Sequence, residues 1–268
     1  MTEGTHVPPP DSPQDRDGAA AAALELRSIS AGYGASSVLH DVTISVPRSS
    51  VVALLGPNGA GKTTTLRVAA GLLKPASGTV VIGGNDASKA APFRRARQGV
   101  CLIPEGRGIF RSLTVRENLE LLIPPWRKGS DVDPAIQAFP ILGERLGQTA
   151  GSLSGGQQQQ LALARAFLSA PDVVLLDEVS MGLAPVIVDQ IFESLKLLAA
   201  TGVALVLVEQ YVSRALEMAD TAYLMARGAI AWSGPAAALD TDAITRAYLG
   251  HADEVPVHSE PKEKVTKR

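Results

Sequence analysis

A glycine-rich loop that directly follows a short apolar run is the feature of this sequence that most restricts its fold. Residues 56–63 read Gly-Pro-Asn-Gly-Ala-Gly-Lys-Thr, which fits the pattern G-x-x-x-x-G-K-[ST]. Glycines allow such a loop to curl around an anion, so that several backbone N–H groups point inward. The preceding residues, Val51–Leu55, are apolar throughout, and a helical pattern begins near Lys62. This order of strand, loop and helix predicts an α/β protein that binds the phosphates of a nucleotide.

The side chains of the loop predict individual roles at that nucleotide. We expect Lys62 to reach the β- and γ-phosphates and the hydroxyl of Thr63 to ligate Mg²⁺. The full set of predicted ATP-binding residues in the loop is Gly56, Pro57, Asn58, Gly59, Ala60, Gly61, Lys62, Thr63 and Thr64.

Two carboxylates follow a second apolar run, at residues 173–176. Asp177 and Glu178 would lie at the carboxyl edge of a parallel sheet, beside the phosphate loop. We expect Asp177 to hold Mg²⁺ through its water shell and Glu178 to polarise the attacking water. Phosphoryl transfer needs mainly positioning and charge neutralisation, so these acids and Lys62 form a sufficient minimal catalytic set.

A second anion site is predicted just upstream of the acidic strand, at Leu-Ser-Gly-Gly-Gln, residues 153–157. Ser154 is a typical N-cap, and two glycines leave the start of the following helix bare, which suits an anion. One nucleotide does not need two such sites on one chain. We therefore expect this site to serve a nucleotide held by a second copy or a homologous partner. Its residues are Ser154, Gly155, Gly156 and Gln157.

Composition and hydropathy patterning limit the classes of protein to which this chain can belong. The 268 residues carry 25 Lys+Arg against 27 Asp+Glu, and this near-neutral balance argues against a protein that coats nucleic acid. One cysteine excludes a disulfide framework, and Cys101 is interpreted as a core residue. The apolar runs are shorter than the roughly 18 residues that a membrane helix needs. We predict disordered tails at residues 1–22 and 251–268, and one domain between them, at 23–250.

Within that domain the predicted architecture is a mostly parallel core sheet with an antiparallel edge subdomain. Residues 173–176 and 203–208 resemble Val51–Leu55 in being apolar throughout, as in strands buried on both faces. Residues 24–46 alternate between apolar and polar, as half-exposed antiparallel strands do. Helical patterns cover residues 62–72, 157–168 and 185–200. In the last helix an apolar stripe is expected to pack in the core, and it consists of Val186, Ile187, Ile191, Leu195 and Leu198.

The combination and order of these motifs resemble the ATP-binding cassette (ABC) ATPases over about residues 24–250. By this resemblance the fold is a P-loop NTPase with a helical signature subdomain. Residues 56–64 are the Walker A loop, Asp177 and Glu178 the Walker B pair, 153–157 the signature motif and 181–184 the D-loop. Tyr33 stands where the family stacks an aromatic ring on adenine, for which a tyrosine face is physically suited.

Two positions depart from the general family and match one subgroup. Glu105 replaces the usual glutamine as a predicted ligand of Mg²⁺ or its water, and Gln210 replaces the switch histidine near the γ-phosphate. The ATPases of high-affinity branched-chain amino acid importers are similar at both places. They also resemble this chain in PEGRGIF, MGLAP and LVEQ and at residues 244–250. Val179 stands where the family usually has proline, which predicts a looser turn after Glu178.

The resemblance implies a membrane-associated transport machine. Two ATPase subunits, identical or homologous, would sit head to tail on the cytoplasmic face of the membrane. They would power two permease subunits and act indirectly with an extracytoplasmic solute-binding protein, without nucleic acid. Residues 107–122 would contact the permease through an exposed apolar patch of Ile109, Phe110 and Leu113. Two alternatives stay open, a non-transport ABC ATPase acting in translation or on DNA, and a regulatory subunit that hydrolyses ATP weakly.

Overall fold

A computed structural model describes residues 22–127, 129–209 and 211–239, which form a six-stranded and a four-stranded sheet with helices packed around them. The strands of the larger sheet are β3 (Val51–Leu55), β6 (Val100–Ile103), β7 (Val173–Asp177), β8 (Ala204–Val208), β9 (Thr221–Ala226) and β10 (Ala229–Pro235). The strands of the smaller sheet are β1 (Leu24–Tyr33), β2 (Ser36–Val46), β4 (Ser77–Ile82) and β5 (Asn85–Asp86).

The larger sheet has the order β10-β9-β3-β8-β7-β6 and is parallel except for β10 at its edge. Strands β3, β7 and β8 are buried at every position because they are apolar on both faces. Their parallel direction brings the end of β3, Asp177 at the end of β7 and Val208 at the end of β8 to one edge. The predicted parallel core is confirmed, and this edge is where the nucleotide loop begins.

The smaller sheet has the order β2-β1-β4-β5 and is antiparallel throughout. In β1 the apolar Leu24, Leu26 and Ile29 are buried, whereas Arg27 and Ser28 are exposed. Ser28 has φ 51° at a register shift in the pairing of β1 with β2, so the alternation is offset there by a bulge. The antiparallel subdomain predicted for residues 24–46 is thereby confirmed.

The helices connect the strands and build a separate layer between β6 and β7. They are α1 (Lys62–Ala70), α2 (Pro92–Arg97), α3 (Val115–Leu122), α4 (Asp133–Ala138), α5 (Pro140–Gly143), α6 (Gly155–Ser169), α7 (Pro185–Ala200) and α8 (Val212–Met218), with short 3₁₀ turns at Ala150–Ser152 and Ala236–Ala238. The layer of α3 to α6 shares one apolar cluster with a face of the larger sheet and with α7. Within the layer, Phe139 and Phe167 meet edge to face with centroids 5.5 Å apart.

The helix bounds correct the sequence-based expectations in detail. Helix α1 ends at Ala70 because Gly71 adopts the left-handed conformation, φ 80°, and so terminates it before residue 72. Helix α7 has the predicted bounds, but Val186 on its predicted core stripe is 67% exposed. In the same turn Val188 is buried instead. The first turn of α7 therefore packs on the interior through Val188 and not, as the predicted stripe indicated, through Val186.

Candidate nucleotide site

The phosphate loop lies between β3 and α1 at the carboxyl edge of the parallel sheet. Gly56 has φ 144°, and a Cβ atom placed on it would stand 2.2 Å from the backbone oxygen of Met225. No other residue fits there, because both the backbone angle and the space require glycine. The N–H of Gly228 also donates to the oxygen of Ala60 at 3.0 Å, so the β9–β10 hairpin supports the loop from behind.

Lys62 is buried inside the curl of the loop, with only 6% of its surface exposed. Its Nζ donates to the backbone oxygens of Gly56 at 2.8 Å and Pro57 at 3.0 Å. Desolvation lowers the pKa of Lys62, and the nearby carboxylates of Glu178 and Asp177 oppose that shift. A buried ammonium group with acidic neighbours is suited to neutralising the charge of bound phosphates.

Asp177 and Thr63 bring β7 and the phosphate loop into direct contact. The hydroxyl of Thr63 donates to Oδ1 of Asp177 at 3.0 Å, across 114 positions of sequence. Burial raises the pKa of Asp177, the hydrogen bond from Thr63 lowers it, and the carboxylates of Glu178 and Glu105 raise it further. Such hard oxygen donors around a buried carboxylate fit Mg²⁺, which is typically bound by one or two carboxylates together with substrate phosphates.

Metal-binding side chains are otherwise sparse around this site. Among the described residues, no group of three or more His, Cys, Asp or Glu side chains is arranged to hold a metal ion. Side-chain oxygens of Thr63, Glu105 and Glu178 line the nucleotide pocket, and Asp177 contacts Thr63 beside it. That Thr63, Asp177 and Glu105 hold Mg²⁺ stays a prediction.

Glu178 occupies a backbone conformation that the sequence did not predict. Its φ is 48°, in the left-handed region that L-residues with a Cβ rarely adopt, and its N–H donates to the oxygen of Val208 at 2.8 Å. The strained turn directs the chain away from the strand immediately after Asp177. Val179, which follows, is only 1% exposed and packs in an apolar cluster with the helical layer and the larger sheet. The looser turn expected from valine in place of proline stays a prediction.

A pocket of about 510 Å³ opens between these groups. It is lined by Val38, Asn58, Gly59, Gly61, Lys62, Thr63, Thr64, Glu105, Glu178 and Met181. Glu105 is exposed to solvent, and it lines the same pocket as Glu178. Lys62, Thr63, Glu105 and Glu178 thus surround one space, and Asp177 lies beside it through its hydrogen bond from Thr63.

Tyr33 lies beside this pocket rather than in its lining. The ring is 44% exposed, and its hydroxyl accepts a hydrogen bond from Arg67 at 3.1 Å. Burial raises the pKa of Tyr33, but hydrogen bonds from Thr64 and Arg67 outweigh it, and the net pKa lies below the ordinary value. An exposed ring fixed next to the end of the phosphate loop is available for stacking, and its contact with adenine stays a prediction.

The signature segment is a capped helix start away from the phosphate pocket. The hydroxyl of Ser154 accepts a hydrogen bond from the N–H of Gln157 at 3.3 Å, and the side chain of Gln157 accepts one from the N–H of Ser154 at 3.0 Å. This reciprocal capping box confirms Ser154 as the N-cap of α6. Gly155 and Gly156 follow it, and none of residues 154–157 lines the 510 Å³ pocket.

A second cavity, of about 380 Å³, shares Glu105, Glu178 and Met181 with the nucleotide pocket. Its remaining lining consists of Gly106, Arg107, Ile109, Arg111, Gln158 and Gln159. The sequence did not predict that these residues border the nucleotide pocket, and it placed Arg107, Ile109 and Arg111 in the segment expected to contact the permease.

The predicted permease contact needs a correction. Phe110 is 56% exposed as expected, but Ile109 and Leu113 are half-buried, because Ile109 packs on the interior of the helical layer. The structure also has an apolar groove of about 410 Å³, and exposed Leu121 and Trp126 are among its lining residues. Cys101 lines it from strand β6 and is otherwise buried, as its core assignment predicted.

Several predictions fall outside the described residues. Gln210, most of the predicted N-terminal tail, the C-terminal tail and the motif at 244–250 belong to this group. Within the described part of the chain, none of the helices combines the length and hydrophobicity that crossing a bilayer requires.

Comparisons with known proteins agree with this geometry. The family model described as "ABC transporter" matches residues 39–181. The high-affinity branched-chain amino acid transport ATP-binding protein BraG of Pseudomonas aeruginosa is 41% identical over 231 residues, covering 85% of this chain and 99% of that protein. The probable branched-chain amino acid transport ATP-binding protein LivF of Archaeoglobus fulgidus is 37% identical, covering 80% and 92%.

More distant relatives have other transport roles. The lipopolysaccharide export system ATP-binding protein LptB of Haemophilus influenzae is 33% identical, covering 85% of this chain and 97% of that protein. Among solved structures, the crystal structure of a nucleotide-free ATP-binding cassette from an ABC transporter superposes with a TM-score of 0.72 at 26% identity. It covers 89% of this chain and all of that one.

Proposed function

Because this chain belongs to the ABC transporter family and is an ATPase subunit of a transporter, we propose that it powers the import of branched-chain amino acids. The observation that carries the substrate class is the 41% identity to BraG, which extends over 99% of that protein. LivF, named for the same substrates, supports it. An export role is the second candidate, favoured by the 33% identity to LptB.

We further propose the following division of labour at the nucleotide. Lys62 and backbone N–H groups of the loop at residues 56 and 58–64 hold the β- and γ-phosphates, Pro57 helps to shape that loop, and the ring of Tyr33 stacks on adenine. Thr63, Asp177 and Glu105 would hold Mg²⁺, and the bound ion would neutralise charge on the phosphates. The contact between Thr63 and Asp177 supports this assignment, because it joins the loop and the acidic strand at one point.

Hydrolysis then requires one activated water molecule. Glu178 orients this water and accepts its proton while the water oxygen bonds to the γ-phosphorus and the bond from phosphorus to the bridging β–γ oxygen breaks. Lys62 stabilises the charge on the phosphate oxygens as ADP and inorganic phosphate form. Gln210 is proposed to hydrogen-bond near the γ-phosphate through its amide.

The arrangement of the signature supports an active site shared between two ATPase subunits. Ser154 to Gln157 cap α6 outside the pocket of their own chain, and we propose that they bind the γ-phosphate of ATP held by the partner subunit. Two permease subunits are proposed to dock on the apolar groove, and a solute-binding protein outside the membrane delivers the substrate. The ATPase would therefore lie peripherally on the cytoplasmic face.

The test is transport by the assembled complex in proteoliposomes. We expect ATP-dependent uptake of labelled leucine, isoleucine and valine, and no competition by a lipopolysaccharide precursor. Glu178→Gln should lower the ATPase rate of the complex at least 100-fold, whereas Glu193→Gln, an exposed carboxylate paired with Lys196, should leave it within twofold.

Three results would count against the proposal. ATP-dependent uptake that ignores all three amino acids would contradict the substrate class. Normal turnover by the Glu178→Gln complex would contradict the role of Glu178. A wild-type complex that binds ATP but barely hydrolyses it would favour the regulatory alternative.

A further inference from the structure

The tip of the β1–β2 hairpin, which carries Tyr33, extends beyond the rest of its sheet. The pairing of β1 with β4 ends at Ser30, so that among the described strands residues 31–33 pair with β2 alone. Residues 33–37 are all exposed, and Gly34 in the turn has φ 58°. A two-stranded hairpin is only marginally stable by itself. The position of the Tyr33 ring therefore depends on contacts outside the hairpin.

Those contacts come from α1, the helix that follows the phosphate loop. Nη1 of Arg67 donates a hydrogen bond to the hydroxyl of Tyr33 at 3.1 Å. The side chain of Thr64, three residues earlier and thus on the same face of α1, also hydrogen-bonds that hydroxyl. Thr64 is only 7% exposed and lines the nucleotide pocket. The phenol is thereby tied to the helix that begins with Lys62 and Thr63.

A hydrogen bond at the far end of the ring restricts where the face of the ring can lie. An exposed side chain without such an anchor exchanges between rotamers, and a base that stacks on it has to overcome the entropy cost of fixing it. When the hydroxyl of Tyr33 is anchored, that entropy is already lost in the folded protein. A base stacked on a preorganised ring therefore binds more tightly.

We propose that Arg67 is a positioning residue for the nucleobase, because its hydrogen bond holds the ring of Tyr33 in the orientation on which adenine stacks. The inference rests on the proposed stacking of Tyr33, and Arg67 acts through that ring and not by contact with the base. It gives the Tyr33 hydroxyl a function that stacking alone does not require, since phenylalanine offers a similar face. Loss of the hydroxyl or of its donor should weaken binding of the base and leave binding of the phosphates unchanged.

The charge of Arg67 is a separate property that the experiment has to distinguish from its hydrogen bond. The hydrogen bond with Tyr33 raises the pKa of Arg67, and the carboxylates of Asp177 and Glu105 raise it further. The guanidinium is thus charged at any working pH and lies within electrostatic range of the metal and phosphate side of the pocket. An effect through this charge would act on the phosphates, whereas an effect through Tyr33 acts on the base.

The test is ATP binding by the full chain carrying Glu178→Gln, so that ATP is not consumed, measured by calorimetry with Mg²⁺. Tyr33→Phe keeps the ring and removes the hydroxyl, and Arg67→Met removes the donor. We expect each change to raise the Kd for ATP about threefold to tenfold, as the loss of one hydrogen bond does, and the double variant to bind no more weakly than the single ones. The Kd for tripolyphosphate, which has phosphates and no base, should stay within about twofold in all three.

The assembled transporter supplies an independent readout. We expect Arg67→Met to raise the KM for ATP and to leave kcat within about twofold, since the hydrogen bond acts on the base and not on the attacking water. Arg67→Lys keeps a charged donor and should recover part of the loss. Arg116→Met removes an exposed arginine paired with Glu120, and this matched control should bind ATP and tripolyphosphate as the unsubstituted chain does. Melting temperatures check that every variant is folded.

Tyr33→Ala separates this inference from the proposed stacking. If Tyr33→Ala leaves the Kd for ATP unchanged, stacking on Tyr33 fails, and the role of Arg67 fails with it. If Tyr33→Ala weakens ATP binding while Tyr33→Phe and Arg67→Met do not, stacking stands and the role of Arg67 is overturned. Equal weakening of ATP and tripolyphosphate binding by Arg67→Met would also overturn it, because the arginine would then act through its charge.

Discussion

The surroundings of Asp177 disfavour the ionised form of its carboxylate. Only 3% of it is exposed, the carboxylates of Glu105 and Glu178 are near, and Thr63 donates a hydrogen bond to it. Burial and like charges together hold the pKa of Asp177 above its ordinary value. The ionised side chain therefore lowers the stability of the nucleotide-free protein at neutral pH. A bound cation would remove that penalty, which agrees with the proposed role of Asp177 as a ligand of Mg²⁺.

Asp177→Asn should therefore stabilise the free protein while it destroys hydrolysis. At pH 7.5, without Mg²⁺ or ATP, we expect the free energy of unfolding to rise by on the order of 1 kcal/mol, because the amide carries no buried charge. Since a raised pKa disfavours the folded state only where Asp177 is ionised, the gain should shrink as pH falls and vanish below about 3.9. Urea unfolding at several pH values measures this difference. A gain that is the same at acidic and neutral pH would contradict the electrostatic cause.

At the scale of elements, Arg95 of α2 fixes the far end of the nucleotide-binding helix α1. Only 1% of Arg95 is exposed, and its Nη1 donates to the backbone oxygens of Val68 at 2.6 Å and Ala69 at 2.9 Å. These carbonyls belong to the last turn of α1, where helical donors run out: Val68 also accepts from the N–H of Gly71 at 3.1 Å, whereas Arg95 supplies the donor to Ala69. A cation there also complements the negative end of the helix dipole. Desolvation lowers the pKa of Arg95, but the group stays charged at any working pH.

Arg95→Met should consequently destabilise the fold by about 3 kcal/mol, because it removes the charged donor to the Ala69 carbonyl and one of the two donors to the Val68 carbonyl. The adjacent Arg94 offers a matched control, since it is exposed and lies over the ring of Phe93. Arg94→Met should cost less than about 0.5 kcal/mol. Guanidinium-induced unfolding of both variants checks this. Equal losses in the two variants would show that Arg95 is not a special support of α1.

Sequence patterns predicted the elements that follow from a local physical rule. They missed the features that depend on contacts between distant parts of the chain. The apolar runs gave β3, β7 and β8, and the glycine loop gave the start of α1, because burial on two faces and phosphate binding each impose a local signature. No such signature marks Arg95, which lies among other arginines at residues 94–97. The sequence around Glu178 carries no signal for its left-handed angle, which accompanies a hydrogen bond to Val208, a residue 30 positions away in the sequence.

At the scale of the whole molecule, the apolar groove and the nucleotide pocket meet in one loop. Pro104 lines the groove and Glu105, the next residue, lines the nucleotide pocket. Strand β6 supports both from the edge of the parallel sheet through Cys101 and Leu102. A protein segment bound in the groove would therefore press on the residue that precedes a predicted metal ligand. This adjacency gives the proposed permease a short mechanical route to the ATPase site.

Leu121→Asp should test that route, because the side chain is 60% exposed on α3 and lines the groove. A buried carboxylate at a docked interface is costly, so we expect at least a tenfold weaker capture of the detergent-solubilised permease and loss of permease-stimulated ATPase activity. Leu197→Asp is the matched control, since Leu197 is 62% exposed on α7 and does not line the groove. Because neither residue contacts the phosphate pocket, both purified variants should bind ATP as the wild type does. If Leu121→Asp captured the permease normally, or if Leu197→Asp weakened capture equally, the groove would not be the docking surface.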